Sequence, residues 1–327
     1  MLRLPRTAGA AAAAIALGVL ASAPASGSEP QLSEARVVAH FDFAAGRTPE
    51  NIALERDGSV DLTFAFARQV VNVNKDGDTR VLATLPAVSN PKTPRVGKAV
   101  VLGIARAHDG TLYVTYATGT SSTGVWRIAP GGGAPRQIAK LPSNGLPNGL
   151  ALDEYRGVLY AADSSLGTVW RIPRAGGRAT AWAKGTALAP GAARSGGTGG
   201  TGVNGIKVHG HTVWVSNSDR GTLLSIPVGP GDRAGAIQTR ATGLDGIDDF
   251  TFTGRGHTIL AALATTSRIA LVHPDGSHSV VLTGQNGLSN PTAVAVRNRN
   301  VYIPGAAYFT KRNPNLLLAR MDRRVGL

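Results

Sequence analysis

Short apolar runs separated by polar turns recur along this chain, and the pattern predicts β-strands rather than helices. After about residue 30, β-branched and aromatic residues alternate with turns rich in Gly, Pro, Asn and Asp. The clearest unit has four such runs, at 147–152, 158–163, 167–172 and 179–183. Four strands in about 40 residues are typical of one blade of a β-propeller.

The first strand of this unit occurs six times, with starts 44 to 56 residues apart. Gly-rich turns follow it repeatedly, as at Asp57-Gly58 and Asp109-Gly110. The sequence therefore predicts an all-β, six-bladed propeller over residues 35–327, with a β-sandwich of similar turn spacing as the alternative. The six repeats of the first strand lie at 52–54, 104–106, 150–152, 206–208, 250–252 and 294–296.

The sixth repeat ends one strand short, and residues near the N-terminus can supply the missing strand. Residues 35–41 resemble the fourth strands of other repeats, such as 80–85. Pairing them with the last blade would remove the exposed strand edges that invite aggregation. We therefore expect the last blade to be closed by the N-terminal strand.

The first 25 residues have the composition of a signal peptide. Arg3 and Arg6 precede an apolar, Ala-rich run at 8–23, and Ala23 and Ala25 stand at the positions that a signal peptidase reads. The run is short for a membrane span, which needs about 20 strongly apolar residues. We expect a signal peptide at 1–25, a linker at 26–34 and an exported protein without a stable membrane anchor; an uncleaved anchor is the alternative.

Composition narrows the classes of site and partner. The chain has no Cys, so neither a disulfide framework nor a thiolate metal site is possible. The formal net charge is +14, but the basic residues are scattered and lack an aromatic-rich motif, which argues against nucleic-acid binding. We expect a monomer that binds a small molecule.

Aligning the six first strands reveals a ring of residues, each two positions before the first apolar residue. Because strand side chains alternate with a period of two, these residues should share the face of the apolar residues that follow. In a propeller they would then meet at one end of the axial channel. The six are Glu50, Leu102, Asn148, Asn204, Asp248 and Thr292.

Four members of the ring, Glu50, Asn148, Asn204 and Asp248, carry side-chain oxygens suited to a metal ion. Two carboxylates facing each other across a narrow channel repel, and one must take up a proton unless a cation lies between them. Oxygen donors without imidazole or thiolate favour Ca²⁺, or another hard divalent cation, over Zn²⁺. The alternative is that Asn and Asp only form Asx turns, which would not require Glu50.

Neighbouring residues leave further alternatives. Asp245 and Asp249 lie close to Asp248, but Asp245 begins its own Asp-Gly turn and Asp249 falls in the opposite phase. A second ring, at the ends of the second strands, offers contacts to substrate or to the metal ligands, or merely caps for those strands. Its polar candidates are Tyr116, Asp163 and Asn217. A Gly-rich loop at 191–202 is either a lid over the channel or plain loop growth.

Three segments resemble the senescence-marker/gluconolactonase family, which includes regucalcin-like lactonases and has paraoxonases as more distant relatives. They are Leu-Pro-Asn-Gly-Leu-Ala-Leu at 146–152, Val-Leu-Tyr-Ala-Ala-Asp at 158–163 and Gly-Thr-Val-Trp-Arg-Ile at 167–172. The resemblance implies a six-bladed propeller that holds Ca²⁺ or another divalent metal in its channel. It places the metal Glu on Glu50, the amide ligands on Asn148 and Asn204, and the metal-bound Asp on Asp248.

The sequence departs from the family at two places. The first repeat reads Pro49-Glu50-Asn51 rather than Glu-Gly-Pro, and Leu102 stands where relatives have a catalytic His or a substrate-binding Asn. Two functions therefore stay open. One is a calcium-dependent hydrolase of a lactone or related ester, in which Asp248 or a metal-bound water makes the attack. The other is a non-catalytic binding or scaffolding module with a structural calcium.

Overall fold

Six four-stranded antiparallel sheets form the blades of a β-propeller in the computed structural model of this protein. The structure describes Met1 and residues 32–191 and 200–322. The signal peptide expected at 1–25, apart from Met1, lies outside the described residues. So do most of the expected linker and the middle of the Gly-rich loop. The six-bladed all-β architecture is confirmed.

The first three blades each run in chain order from the channel outwards. The N-terminal strand β1 (Leu32–His40) belongs to blade 6. Blade 1 contains β2 (Pro49–Leu54), β3 (Val60–Phe64), β4 (Gln69–Val73) and β5 (Thr79–Thr84). Blade 2 contains β6 (Val100–Arg106), β7 (Leu112–Ala117), β8 (Gly124–Ile128) and β9 (Arg136–Lys140). Blade 3 contains β10 (Pro147–Asp153), β11 (Val158–Asp163), β12 (Thr168–Pro173) and β13 (Thr180–Lys184).

The remaining blades complete the ring, and short 3₁₀ turns lie at Pro230–Asp232 and Gly284–Asn286. Blade 4 contains β14 (Val203–His209), β15 (Thr212–Asn217), β16 (Thr222–Pro227) and β17 (Gln238–Ala241). Blade 5 contains β18 (Ile247–Phe252), β19 (Ile259–Leu263), β20 (Arg268–Val272) and β21 (His278–Leu282). Blade 6 contains β22 (Ala295–Arg297), β23 (Asn300–Gly305), β24 (Asn315–Met321) and, outermost, β1 (Leu32–His40).

The N-terminal strand closes the last blade, as the sequence predicts. β1 pairs antiparallel with β24, from Leu32 opposite Met321 to His40 opposite Asn315. The strand begins at Leu32, within the expected linker and three residues before residue 35. Both ends of the propeller domain thereby lie in one sheet, and the ring is held by main-chain hydrogen bonds.

The apolar core lies between neighbouring blades. Val70 of blade 1 and Val101 of blade 2 belong to one buried cluster, and Val158 of blade 3 and Val213 of blade 4 belong to another. This arrangement is expected because a propeller blade has two apolar faces, each of which must be covered by an adjacent sheet. Among the described residues no helix is long and apolar enough to cross a membrane.

A β-bulge interrupts the first strand of each of blades 1 to 5 at the same place. The register between first and second strands shifts between Pro49 and Ile52 in blade 1. Equivalent shifts occur in the other four blades. A bulge adds a residue to one strand and changes the direction of its side chains. The predicted ring positions of these five blades all fall within the bulges.

Candidate metal centre

The four predicted metal ligands, Glu50, Asn148, Asn204 and Asp248, line one cavity. Its volume is about 840 Å³, and it lies where the first strands of blades 1 to 5 begin. Leu102, the blade 2 member of the predicted ring, lines the same cavity. Five equivalent positions from five blades therefore converge on a single space.

The sixth predicted member, Thr292, does not reach this space. It is fully buried, and its hydroxyl donates a hydrogen bond to the Pro49 carbonyl at 3.0 Å. The first strand of blade 6 begins only at Ala295, so Thr292 precedes the strand and lacks the bulge of the other blades. Blade 6 contributes Tyr308 to the cavity instead.

The ring residues face the channel because of the bulge and not because of regular strand alternation. Regular alternation would place Glu50 and Ile52 on the same face of the strand, but Ile52 packs in an apolar cluster between blades. Ile104 and Ile206 do the same in blades 2 and 4. The extra residue of the bulge lets Glu50 line the cavity while Ile52 stays in the core.

The side-chain amides of the two Asn residues are each held by a serine. The Asn148 Nδ2 donates to the Ser164 Oγ at 3.3 Å, and the Asn204 Nδ2 donates to the Ser218 Oγ at 2.9 Å. Each serine in turn donates to a main-chain carbonyl of the next blade, at 2.8 and 2.6 Å. With the nitrogen of each amide anchored, its carbonyl oxygen is the atom available to accept from a ligand or to coordinate a cation.

Glu50 is buried, and burial raises the pKa of its carboxyl to about 7. The hydroxyl of Tyr308 donates to Glu50 Oε2 and lowers this pKa, whereas the charge of Asp249 raises it. Burial raises the pKa of Tyr308 well above its usual range, and the charge of Glu50 and the hydrogen bond to it raise this pKa further. Tyr308 therefore holds Glu50 in position and favours its ionised form.

Asp248 meets a similar environment. Burial is the largest cause that raises the pKa of its carboxyl well above the usual range, followed by the charge of Glu50. A hydrogen bond with Asn204 lowers it by less. The charge of Glu50 therefore opposes the ionisation of Asp248, which is the situation that a bound divalent cation relieves. The donor set of two carboxylates and two amide oxygens fits a hard cation such as Ca²⁺.

A second polar layer lies next to this site. Asp249 is 2% exposed and accepts two hydrogen bonds from the Lys207 Nζ, at 2.7 and 2.5 Å. The Asn51 Nδ2 donates to the same carboxylate at 3.1 Å. Lys207 also lines a smaller cavity of about 340 Å³ at the other end of the first strands. These contacts join blades 1, 4 and 5 across the axis. Asp249 therefore lies in the channel, although the period-two pattern gives it the strand face opposite to that of Asp248.

Tyr116, Asp163 and Asn217 are not among the residues that line the metal-centre cavity. Each supports main chain near it: the Tyr116 hydroxyl donates to the Pro86 carbonyl at 2.6 Å. Asp163 accepts from the Leu146 N–H at 2.8 Å, and the Asn217 Nδ2 donates to the Ala187 and Ala189 carbonyls. Asp163 thus fixes the segment that leads into Asn148, and Asn217 fixes the segment that leads into the Gly-rich loop.

Two alternatives from the sequence concern Asp245 as a rival of Asp248 and the role of the Gly-rich loop. Asp245 lies in the turn before β18 and is not among the cavity residues, whereas Asp248 is. Of the Gly-rich loop, Thr201 lines the cavity, and Gly202 donates to the Ser164 carbonyl at 2.9 Å. Residues 192–199 lie outside the described residues, so the choice between a lid and plain loop growth stays a prediction.

Within the described part of the chain no group of three or more His, Cys, Asp or Glu side chains could hold a metal ion by itself. The centre described above contains only two carboxylates and depends on the amides for its other donors. Metal binding at these residues therefore stays a prediction. Sequence reasoning missed three neighbours of the site: Tyr308, Asn51 and Lys207. Tyr308 has no counterpart in the other repeats, and the only sequence signal among the three is that Asn51 is adjacent to Glu50.

Fold and site define a six-bladed β-propeller with a polar centre at one end of its channel. Its structure resembles gluconolactonase- and regucalcin-like six-bladed propellers. A calcium-binding regucalcin from Agrobacterium tumefaciens has a TM-score of 0.64 and 14% identity, over 88% of this chain and 93% of that one. A gluconolactonase from Xanthomonas campestris has a TM-score of 0.62 and 14% identity, over 90% and 95%.

A third similar structure is the aldose sugar dehydrogenase of Streptomyces coelicolor in its PQQ-bound form. Its TM-score is 0.61 at 15% identity, over 89% of this chain and 100% of that one. No protein-family profile matches the sequence, and neither does any curated protein. At these identities the likeness is one of fold.

Proposed function

We propose that this protein is a calcium-dependent hydrolase of lactones or related esters. The observation that carries the proposal is the convergence of Glu50, Asn148, Asn204 and Asp248 on one cavity. Four oxygen donors from four blades, with both carboxyl pKa values raised, form a site that gains from a divalent cation. The similarity to a gluconolactonase and to a calcium-binding regucalcin supports the same chemistry.

In this proposal Glu50, Asn148, Asn204 and Asp248 hold the cation. A cation bound there supplies Lewis-acid polarisation of the substrate carbonyl. Tyr308 keeps Glu50 in place through its hydroxyl, and Ser164 and Ser218 keep the two amides turned towards the cavity. These contacts preorganise the donors before the substrate arrives, which is where most of the catalytic gain of such sites originates.

Asp248 is the proposed general base. It accepts a proton from a water molecule while the water oxygen adds to the carbonyl carbon of the lactone. The ring C–O bond then breaks, and the released alcohol oxygen takes the proton back from Asp248. No histidine is among the residues that line the cavity, so the mechanism assigns the proton transfer to a carboxylate. General-base assistance contributes about 10²- to 10⁴-fold to such reactions.

The experiment is hydrolysis of a panel of lactones and esters by the purified protein, with and without a calcium chelator. We expect chelator-sensitive turnover that Glu50→Gln and Asp248→Asn abolish. Asp245→Asn is the matched control, since Asp245 is outside the cavity lining, and it should retain activity. Calcium binding without turnover on any member of the panel would instead favour a non-catalytic binding module, the second function that the sequence leaves open.

We also propose that the protein acts as an exported monomer on a small molecule. The support for export is the sequence of residues 1–25, with two Arg residues ahead of an apolar run. The support for a small molecule is the size of the cavity, which lies within the range of about 300–1,000 Å³ typical of such sites.

A further inference from the structure

One wall of the metal-centre cavity is mostly apolar, although Arg95 and Lys98 also line the cavity and the Lys98 Nζ lies 5.7 Å from the centroid of the Phe66 ring. Val100, Leu102 and Leu146 belong to a single buried cluster with Ala65, and Phe66 and Val96 pack against it. All six residues also line the cavity. We refer to these six as the apolar wall. It is formed by blades 1 and 2 and by the segment that leads into blade 3.

The apolar wall begins directly beside the polar donors. The Tyr308 ring packs against the same cluster and contacts the Phe66 ring edge to face, with centroids 5.9 Å apart. The Tyr308 hydroxyl reaches Glu50. A substrate whose carbonyl lies at Glu50 and Asp248 would therefore place its next atoms against Tyr308, Phe66 and the rest of the wall.

Main-chain hydrogen bonds hold this wall in place. The Ala65 N–H donates to the Thr48 carbonyl at 2.9 Å, and the Val101 N–H donates to the Ala65 carbonyl at 3.2 Å. The second of these bonds ties blade 2 to blade 1 at the wall. The apolar surface is thus preformed and need not be ordered by the ligand.

A polyhydroxylated lactone would fit this wall badly. Each hydroxyl buried against an aliphatic side chain loses its hydrogen bonds to water without gaining a partner. Sites that select a hydroxyl use a polar group placed to receive it, and the aliphatic side chain of Leu102 offers none. An unbranched alkyl chain loses no hydrogen bonds there and gains apolar burial.

We propose that the preferred substrates are lactones that carry an apolar side chain, and that Leu102 determines this preference. The proposal rests on the proposed lactonase function and specifies its substrate class. Each methylene buried against the wall should raise kcat/KM about fourfold until the wall is covered. Sugar lactones, with a hydroxyl on nearly every ring carbon, should be poor substrates.

The test measures kcat/KM with calcium for γ-lactones with progressively longer alkyl chains and for glucono-δ-lactone. We expect the value to rise with chain length and the sugar lactone to be at least about a hundredfold slower than the best alkyl lactone. Leu102→Asn should flatten the chain-length dependence and raise the rate for the sugar lactone. Leu152→Asn, the same change at the opposite mouth of the channel, should alter neither.

Because Leu102→Asn changes a buried side chain, Phe66→Ala serves as a second variant at a half-buried position of the wall. Binding of alkyl-substituted lactams, which are not hydrolysed, is measured in parallel by titration calorimetry. Turnover without a chain-length dependence, or with preference for the sugar lactone, would overturn this inference and leave the lactonase function standing. Lactam binding that strengthens with chain length but without any turnover would overturn the lactonase function and support the apolar site. The absence of both turnover and lactam binding would overturn the lactonase function and the apolar site together.

Discussion

At the scale of single residues, the ion pair between Lys207 and Asp249 is a short polar contact beside the candidate metal centre. Asp249 is almost completely buried, and the Lys207 ammonium lies 2.5 Å from its carboxylate. Removing one partner of a buried pair leaves an uncompensated charge, which destabilises a protein by about 3–5 kcal/mol. The pair therefore stabilises the channel interior next to Asp248.

We expect Lys207→Met to lower the free energy of unfolding by about that amount, measured by urea denaturation in the presence of chelator. The double variant Lys207→Met/Asp249→Asn should recover much of the loss, because the amide carries no charge. Lys140→Met, which changes an exposed lysine, is the control. Equal stability of the Lys207 and Lys140 variants would show that the ion pair does not contribute.

Asp61 makes the stability of the fold depend on pH, independently of the candidate metal centre. It is fully buried on β3, and burial raises the pKa of its carboxyl to about 7, assisted by Glu55 and opposed by a hydrogen bond from Asn72. Unfolding returns the carboxyl to its ordinary pKa of 3.8, so the folded state binds the proton more tightly. The contribution of Asp61 to stability is therefore fully present below about pH 4 and is lost as the pH rises through about 7.

We expect Asp61→Asn to raise the thermal midpoint at pH 8 and to change it much less at pH 4.5. The asparagine keeps an oxygen for Asn72 but has no charge to bury. The difference in unfolding free energy at pH 8 should be on the order of a few kcal/mol. A variant whose effect is the same at both pH values would show that Asp61 is ionised in the folded state.

At the scale of elements, the bulged first strands approach one another closely around the axis. A Cβ on Gly149 would lie 2.3 Å from the Asn204 carbonyl oxygen and 3.1 Å from the Ile206 nitrogen. Gly103 has the same relation to the Asn148 carbonyl, at 2.3 Å. Glycine is thus needed there because the backbones of neighbouring blades touch. The contact sets the spacing between the ring positions of adjacent blades.

We expect Gly149→Ala to destabilise the fold by about 1–3 kcal/mol and to weaken calcium binding, because it pushes β10 away from β14. Gly284→Ala is the control: a Cβ there meets no atom within 4 Å. Thermal unfolding with and without calcium measures both effects. An unchanged calcium response in a destabilised Gly149 variant would show that strand spacing does not position the ligands.

The elements also explain what sequence reasoning could and could not predict. The repeat of apolar strands and Gly-rich turns located all six blades, and five of the six ring positions line the cavity. A period-two pattern contains no signal for a β-bulge, so it could not show that Ile52 and Glu50 take different directions or that Asp249 enters the channel. Tyr308 lies in the connection between β23 and β24, where no repeat exists to compare it with.

At the scale of the whole molecule, the closed ring brings together the residues of the candidate metal centre. β1 joins β24 along nearly its whole length, and the ring that it closes brings Glu50 of blade 1 to Asp248 of blade 5. The centre is therefore assembled from residues 198 positions apart, by the difference of their numbers. A ligand that binds only the closed ring stabilises it by mass action, by about 2.7 kcal/mol at 100 times its Kd.

Calorimetric titration of Ca²⁺ into the chelator-treated protein tests the central claim most directly. We predict one Ca²⁺ per chain at this centre, with binding that Glu50→Gln and Asp248→Asn abolish and Asp245→Asn leaves intact. The absence of Ca²⁺ binding in the wild-type chain would contradict the account. So would binding that persists unchanged in both the Glu50 and the Asp248 variants.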